Sequence, residues 1–168
     1  NTLLILQHRL KAKLDRSAVD IVKDYAPLSL VECYAGQLNQ ALMNVLLNSI
    51  DALEERETHE QKQAEQASAT TDGSAKQITI RTHKLPNNWI EIEIADNGGG
   101  ISEMIQQRMF EPFFTTKPVG KGTGMGLSIS YQIIVEKHHG KFTCSSEQGQ
   151  GTEFVIQIPP NQQPVASD

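Results

Sequence analysis

Three groups of residues have the types and spacing for chemistry. Asn44, Asn48 and Asp51 stand at i, i+4 and i+7. On a helix, at about 100° per residue, they share one stripe. Such a row reads as a solvated face or as a ligating one. Two mid-helix asparagines carry a propensity cost, and a neutral oxygen ligand for a hard cation already bound to phosphates would account for one of them. The second group is Asp96-Asn97-Gly98-Gly99-Gly100-Ile101. Asp/Asn-Gly is a hairpin signal, yet a helix start follows it rather than a second strand. A carboxylate only accepts hydrogen bonds, so Asp96 can select a donor such as an exocyclic amine, and the glycines let another molecule approach the backbone. The third group runs from Phe110-Glu111-Pro112-Phe113-Phe114-Thr115-Thr116-Lys117 to Gly120-Lys121-Gly122-Thr123-Gly124-Met125-Gly126-Leu127. Glycines at alternate positions expose backbone N–H groups and a helix N-terminus favours anions, which together make a phosphate cradle. The spacing G-x-x-x-x-G-K-[ST] is absent, so this is not a P-loop.

These groups need elements to hold them. Spacings of three and four at Leu38, Leu42, Val45, Leu46, Ser49 and Leu53 predict a helix from Gln37 to about Glu57. Residues 54–76 hold nine charged residues and four alanines with no larger apolar side chain, which predicts a frayed helix end and then a mobile loop. Val19–Tyr25 and Leu30–Cys33 read as a hairpin-like strand pair around Pro27. Further strands are expected at Ile78–His83 and Ile90–Ala95, the latter with isoleucines on one face and glutamates on the other. Ser102 is placed to cap a short helix, Glu103–Met109. A long loop leads to a helix over Gly126–His139, with Leu127, Ile129, Ser130, Ile133, Ile134 and Lys137 inward and Gly140 as its stop. Lys141–Ser145 and Thr152–Ile158 complete a pair across Gly149-Gln150-Gly151. The apolar segment Leu3–Leu10 fits strand or helix. The expected architecture is α+β: a two-layer sandwich of a mixed, largely antiparallel sheet with helices packed on one face. The expected division is an N-terminal segment 1–17, a domain 18–160 and a polar tail 161–168.

Composition sets outer bounds. With 168 residues the chain suits one domain with its own core. A net charge of −5 argues against a nucleic-acid binder held by phosphate contacts. The longest strongly apolar run, Leu3 to Leu6, is far short of a membrane span, so no membrane contact is expected of this domain, and a cytoplasmic compartment fits. Two cysteines, Cys33 and Cys144, are too few for a disulfide framework and are expected as buried free thiols. His8, His59 and His83 show no metal-ligand pattern, and His138-His139 suits the dipole of a helix C-terminus. Neither a serine-hydrolase elbow nor a cysteine-nucleophile motif is present.

Taken together, the motifs resemble the catalytic, ATP-binding domain of sensor histidine kinases, in the GHKL superfamily that also holds gyrase B, Hsp90 and MutL. Residues 40–53 are similar to its asparagine box, 96–101 to the first glycine box, 110–117 to the phenylalanine box, 122–127 to the second glycine box and 149–154 to the last glycine-threonine motif. Gly99 stands where proline is common and Met125 where leucine is common.

The resemblance implies roles. Asp96 would accept from the adenine amino group, with Thr152 positioning it. Gly98 and Gly100 would admit the base beside Ile101. Asn48 would bind Mg²⁺ bridging the phosphates of ATP, with Asn44 and Asp51 beside it. Residues 113–126 would form a lid over the nucleotide: Phe114 lining it, Thr115, Thr116, Lys117 and Lys121 near phosphate, and Gly122, Thr123, Gly124, Met125, Gly126 and Leu127 supplying N–H contacts and hinge. Asn44, Asn48 and Lys117 would carry catalysis. The implied reaction transfers the γ-phosphoryl group to a histidine on a dimerisation domain absent from this chain, a receiver domain of a response regulator acting downstream and homodimerisation running only through the absent domain. Hydrolytic relatives carry glutamate at position 44, and Asn44 cannot act as a carboxylate base. That favours a protein-histidine kinase over the alternative, a GHKL ATPase or anti-sigma-type serine kinase. None of the five histidines stands in an acceptor motif, so an excised piece of a longer signalling protein is expected.

Overall fold

A computed structural model describes residues 2–11, 17–67, 74–117 and 124–162. The elements in chain order are α1 (Thr2–Leu10), β1 (Val19–Tyr25), α2 (Ala35–Ala67), β2 (Lys76–Lys84), β3 (Ile90–Asp96), α3 (Glu103–Arg108), α4 (Gly126–Tyr131), a π-helical continuation of α4 (Gln132–Lys137), β4 (Lys141–Glu147) and β5 (Gly151–Ile158). The strands form one sheet in the order β1-β2-β3-β5-β4. Three of its pairings are antiparallel and one, β1 with β2, is parallel. The expected mixed, largely antiparallel sheet under one helical layer is what the chain forms.

Alternation builds the sheet's two faces. Ile78, Ile80, Ile94, Phe154 and Ile156 are buried toward the helices, while Arg81, Glu93 and Glu153 meet on the other side, with Arg81 3.4 Å from Glu93. Helix α2 closes the core with Leu38, Ala41, Val45, Leu46, Ile50 and Leu53. Ile50 and Leu53 are fully buried, and truncating a side chain of this kind to alanine costs about 2–5 kcal/mol.

Four sequence expectations are corrected. Leu30–Cys33 is not a strand: Leu30 is fully exposed, and Glu32 N–H donates to the Pro160 carbonyl at 2.9 Å. β1 pairs parallel with β2 instead of forming a hairpin, and a parallel pair requires a long crossover, which α2 supplies. Helix α2 also runs ten residues past Glu57. Its Glu, Gln, Lys and Ala are good helix formers, and Arg56 pairs with Glu60 at 3.2 Å across one turn. Low apolar content there marks a solvated helix; residues 68–73 of the expected loop lie outside the described residues.

The third correction concerns Lys137 and His138. An i→i+5 closure, His138 N–H to Ile133 carbonyl at 3.1 Å, inserts an extra residue into the last turn. That rotation puts Lys137 outside and His138 into the core. His138 Nε2 accepts from Tyr34 N–H at 3.0 Å, and its Nδ1 lies 2.7 Å from the Ile133 carbonyl. Those two partners require a neutral ring protonated at Nδ1, not a cation complementing a dipole. Fourth, Ser102 precedes α3 but its side chain makes no capping bond; its carbonyl accepts from Ile105 and Gln106 N–H, each at 3.0 Å. The segment left open at Leu3–Leu10 is helical, with Leu6 in the core. Both cysteines are free and half-buried, Cys33 outside any strand.

Candidate functional site

A cleft of about 580 Å³ opens between α2, α3, the segment 114–117, the start of α4 and the ends of β3 and β5. Asn44, Asn48 and Asp51 face it from α2, so the polar stripe is a cleft wall rather than a solvated surface. Asp96, Ile101, Thr152, Phe114, Thr115, Thr116, Lys117, Gly124, Gly126 and Leu127 line the remainder. Lys121, Gly122 and Thr123 lie outside the described residues.

Asp96 ends β3 at the floor of the cleft and is buried beside its register partner Thr152. Gly98 N–H donates to its Oδ1 at 2.9 Å. Burial pushes the Asp96 carboxyl above the usual carboxylate range, while Gly98 N–H, the Ser49 side chain, Thr152 N–H and the Arg56 charge act the other way. The Ser49 hydroxyl itself lies buried beside this carboxylate, short of good hydrogen-bond geometry. Its own burial first, and then the Asp96 charge, push the neighbouring Cys144 thiol up to about 12, which disfavours the reactive thiolate.

The glycines of this turn have tasks visible in the packing. A Cβ on Gly98 would sit 2.8 Å from Asp96 Oδ1 and 3.1 Å from Ala52 Cβ, so glycine lets the backbone reach the carboxylate. Gly100 has φ +68° and its Cβ position is filled by the Glu147 carbonyl. It fastens the turn to the β4–β5 connection, where Gly149 N–H donates to the Gly99 carbonyl at 2.7 Å. Neither Gly98 nor Gly100 lines the cleft; both shape its floor from behind.

The other end is built from charge. Asn44 Nδ2 donates to the Gly126 carbonyl at 3.0 Å, which ties α2 to the first turn of α4 and fixes the amide's orientation. The Asp51 carboxylate pairs with Lys117 Nζ through Oδ2 and with Arg9 Nη2 through Oδ1 at 2.8 Å. Arg9 also pairs with Glu54 at 2.7 Å. Met125 stands at the N-cap of α4 and stays off the cleft wall; its carbonyl accepts from Ser128 Oγ at 2.9 Å. The three phenylalanines divide the work. Phe110 stacks between Tyr131 and Phe142 at 5.4 and 4.9 Å. Phe114 lines the cleft under the Arg108 guanidinium at 4.7 Å. Phe113 is 76% exposed at φ +64°, and its backbone fills the Cβ position of Gly124, so Phe113 and Gly124 abut.

Arg9, Glu55, Ile105 and Met109 also line the cleft without a sequence signal. Arg9 arrives from a helix about 40 residues away in sequence, a placement only tertiary packing reveals. Ile105 and Met109 come from α3 and its end, whose inner face is too short to show periodicity.

Residues 34–162 match the family described as Histidine kinase-, DNA gyrase B-, and HSP90-like ATPase. The chain belongs to that family. ATP is thereby its nucleotide, and the residues matched contain every described wall of the cleft except Arg9. It is 36% identical to the two-component sensor PprA of Pseudomonas aeruginosa over 130 residues, 77% of this chain and 12% of that protein. It is 34% identical to sporulation kinase E of Bacillus subtilis over 144 residues, 86% of this chain and 16% of that protein. The chain thus spans a small part of the curated relatives' length. The catalytic domain of histidine kinase ThkA has the same fold, with a TM-score of 0.70 at 24% identity, covering 96% of this chain and 89% of that one. Full-length ShkA, solved with AMPPNP, superposes at 0.72 with 21% identity, covering 98% of this chain and 29% of that one. Among the described residues no helix is long and apolar enough to cross a membrane.

Proposed function

We propose that this domain binds ATP with its base on Asp96 and its phosphates between Asn44, Asn48, Lys117 and the start of α4, and transfers the γ-phosphoryl group to a histidine on a dimerisation domain of the same protein. The observation carrying this reading is that one cleft is lined by the buried Asp96 carboxylate with Thr152 from the sheet and by Asn44, Asn48 and Lys117 from α2 and the segment 114–117. Phosphoryl transfer depends on positioning and charge neutralisation more than on covalent help from the protein.

The donor set suits a metal that arrives with the nucleotide. Among the described residues no three His, Cys, Asp or Glu side chains could hold an ion by themselves. Asn48 offers one neutral oxygen, the sparse protein ligation that suits Mg²⁺, which takes further ligands from phosphates and water. When bound, Mg²⁺ supplies charge neutralisation between the phosphates. Asn44, held by the Gly126 carbonyl, links the metal side of α2 to the N–H groups of Gly124, just before α4, and of Gly126 and Leu127 in its first turn. Lys117 exchanges Asp51 for phosphate oxygen. Position 44 carries no carboxylate to deprotonate water, whereas a neutral imidazole is a nucleophile without such a base. Gly98 and Gly100 hold the base floor, Ile101 and Phe114 enclose the base, and Lys121, Gly122 and Thr123 complete the lid. The receiver domain of a response regulator takes the phosphoryl group next. The domain works in the cytoplasm, and homodimerisation resides in the histidine-bearing domain.

The test is radiolabelled ATP with this chain alone and then with an added histidine-bearing domain. The expected result is acid-labile, base-stable label on the added domain only. Stable label on this chain, or rapid phosphate release without acceptor, overturns the reading.

A further inference from the structure

The Asp51 carboxylate on α2 is shared by two cations that come from opposite directions along the chain. Its Oδ2 pairs with Lys117 Nζ, and its Oδ1 lies 2.8 Å from Arg9 Nη2. The same Arg9 nitrogen lies 2.7 Å from Glu54 Oε2. Nη2 carries two hydrogens, so one goes to each carboxylate, and Arg9 spans Asp51 and Glu54 one turn apart on α2. Arg9 stands on α1, which is laid on the core by the buried Leu6 with Leu3 and Leu10 partly buried beside it. A helix of nine residues has little stability of its own, so α1 depends on this docking. All four charged side chains remain partly exposed, so their pairs exchange at small cost.

Arg9, Asp51 and Lys117 all line the cleft. We propose that Arg9 is a positioning residue for phosphate binding: by holding Asp51 from α1, it loosens that carboxylate's grip on Lys117 and leaves the lysine available to a triphosphate. This inference rests on Lys117 meeting phosphate, as in the function proposed above. A carboxylate already paired on one oxygen with a guanidinium attracts a second cation less strongly. With α1 undocked, Asp51 keeps Lys117 as its ion-pair partner, and the lysine is harder to draw away. With a triphosphate in the cleft, Lys117 leaves, Asp51 falls to Arg9, and α1 is held more tightly on α2. The two events favour each other, and linkage makes the coupling equal in both directions. Arg9 lies outside residues 34–162, which match the family, so phosphate binding in this chain responds to a helix that precedes the family's own domain.

The experiment is calorimetric binding of a non-hydrolysable ATP analogue with Mg²⁺, and of adenosine, to the parent chain and to Arg9→Gln, alone and combined with Asp51→Asn or Lys117→Met. Arg9→Gln should weaken binding of the triphosphate by about two- to five-fold at low salt, the scale of a part-exposed ion pair, and leave adenosine unchanged. In the Asp51→Asn and Lys117→Met backgrounds the same substitution should leave triphosphate affinity nearly unchanged, because the shared carboxylate or the lysine it captures is gone. In the reverse direction, the analogue should slow hydrogen exchange at residues 6–10 in the parent and not in Asp51→Asn. A loss that persists undiminished in both backgrounds would mean that Arg9 meets the phosphates itself. Equal loss of triphosphate and adenosine would mean that α1 only supports the fold, and no loss at all would mean that the sites are uncoupled. Each of these overturns the inference and leaves the nucleotide site standing. A parent that binds the triphosphate no better than adenosine would overturn the phosphate assignment and this inference with it.

Discussion

The two ends of the cleft are made by different means. At the sheet end, Asp96, Thr152, Gly98 and Ile101 are held by hydrogen bonds inside or beside the sheet. At the α2 end, the half-buried Asp51 carboxylate pairs with both Lys117 and Arg9, and Arg9 is shared with Glu54. The first end is preorganised for one pattern of donors. The second is a set of exchangeable ion pairs that a polyanion can take over. On the function proposed above, selectivity would belong to the backbone-fixed groups and the response to phosphate to side chains that change partners.

The largest expected effect falls on the phosphate end. Asn48→Ala should lower phosphoryl transfer to an added acceptor domain by on the order of 10²-fold or more, since the metal that offsets transition-state charge loses its protein ligand. Binding of adenosine, which lacks phosphates, should stay at the parent value in the same variant. Equal loss of both would erase the distinction between the two ends.

Next is Asp96→Asn, which should weaken adenine-nucleotide affinity by roughly 10- to 150-fold, the worth of a charged hydrogen bond. The same substitution should act oppositely on the empty protein. Because burial raises the folded Asp96 carboxyl above its unfolded value, the folded state keeps a proton that the unfolded chain has lost between those two values. Stability from this group is complete below the unfolded value and falls as pH rises through the folded one. Asp96→Asn without nucleotide should therefore melt at or above the parent temperature at neutral pH, with the advantage vanishing toward about pH 4. In the parent, nucleotide affinity should fall with acidification from above the usual carboxylate range. A variant that melts lower at neutral pH would show the carboxylate to be a structural anchor instead.

Smaller is Asp51→Asn. Releasing Lys117, while Arg9 keeps Glu54, should raise affinity for ATP by about two- to five-fold at low salt, the scale of a part-exposed ion pair, and leave adenosine binding unchanged. A fall in ATP affinity would show that Asp51 serves the metal rather than restraining the cations. The smallest effect is expected at Ser102→Ala: no side-chain cap is made, so the melting curve should shift by less than about 0.5 kcal/mol.

What could be read from the sequence divides along the same line. Motifs in which backbone and side chain are local, such as Asp96 to Gly98 or the asparagines one helical turn apart, announce their geometry, and the glycine turn at 149–151 behaves as its residues require, with φ +85° and +121° at its two glycines. Sheet order, the parallel β1–β2 pair and Arg9 in the cleft depend on which distant segments meet, and nothing in a strand's alternation specifies its neighbour. The polar half of α2 carries no core signal because burial and helicity are separate properties: a solvated helix needs good formers and i,i+4 pairs, not a core. Ser102 failed as a cap for the opposite reason, a suitable residue whose hydroxyl is not used. His138 escaped because the π-helical closure adds one residue to a turn, which no 3.6-residue pattern anticipates.

The division of the cleft is tested most directly by an NMR titration of the labelled chain, first with adenosine and then with Mg²⁺ and a non-hydrolysable ATP analogue. Adenosine should shift the amides of Gly98, Ile101 and Thr152 and leave those of Gly124, Gly126 and Leu127 in place. The triphosphate should move both sets, together with the side-chain amides of Asn44 and Asn48. Adenosine acting first on Gly124 to Leu127, or a triphosphate that moves neither set, would contradict the assignment of base to the sheet end and phosphates to α4.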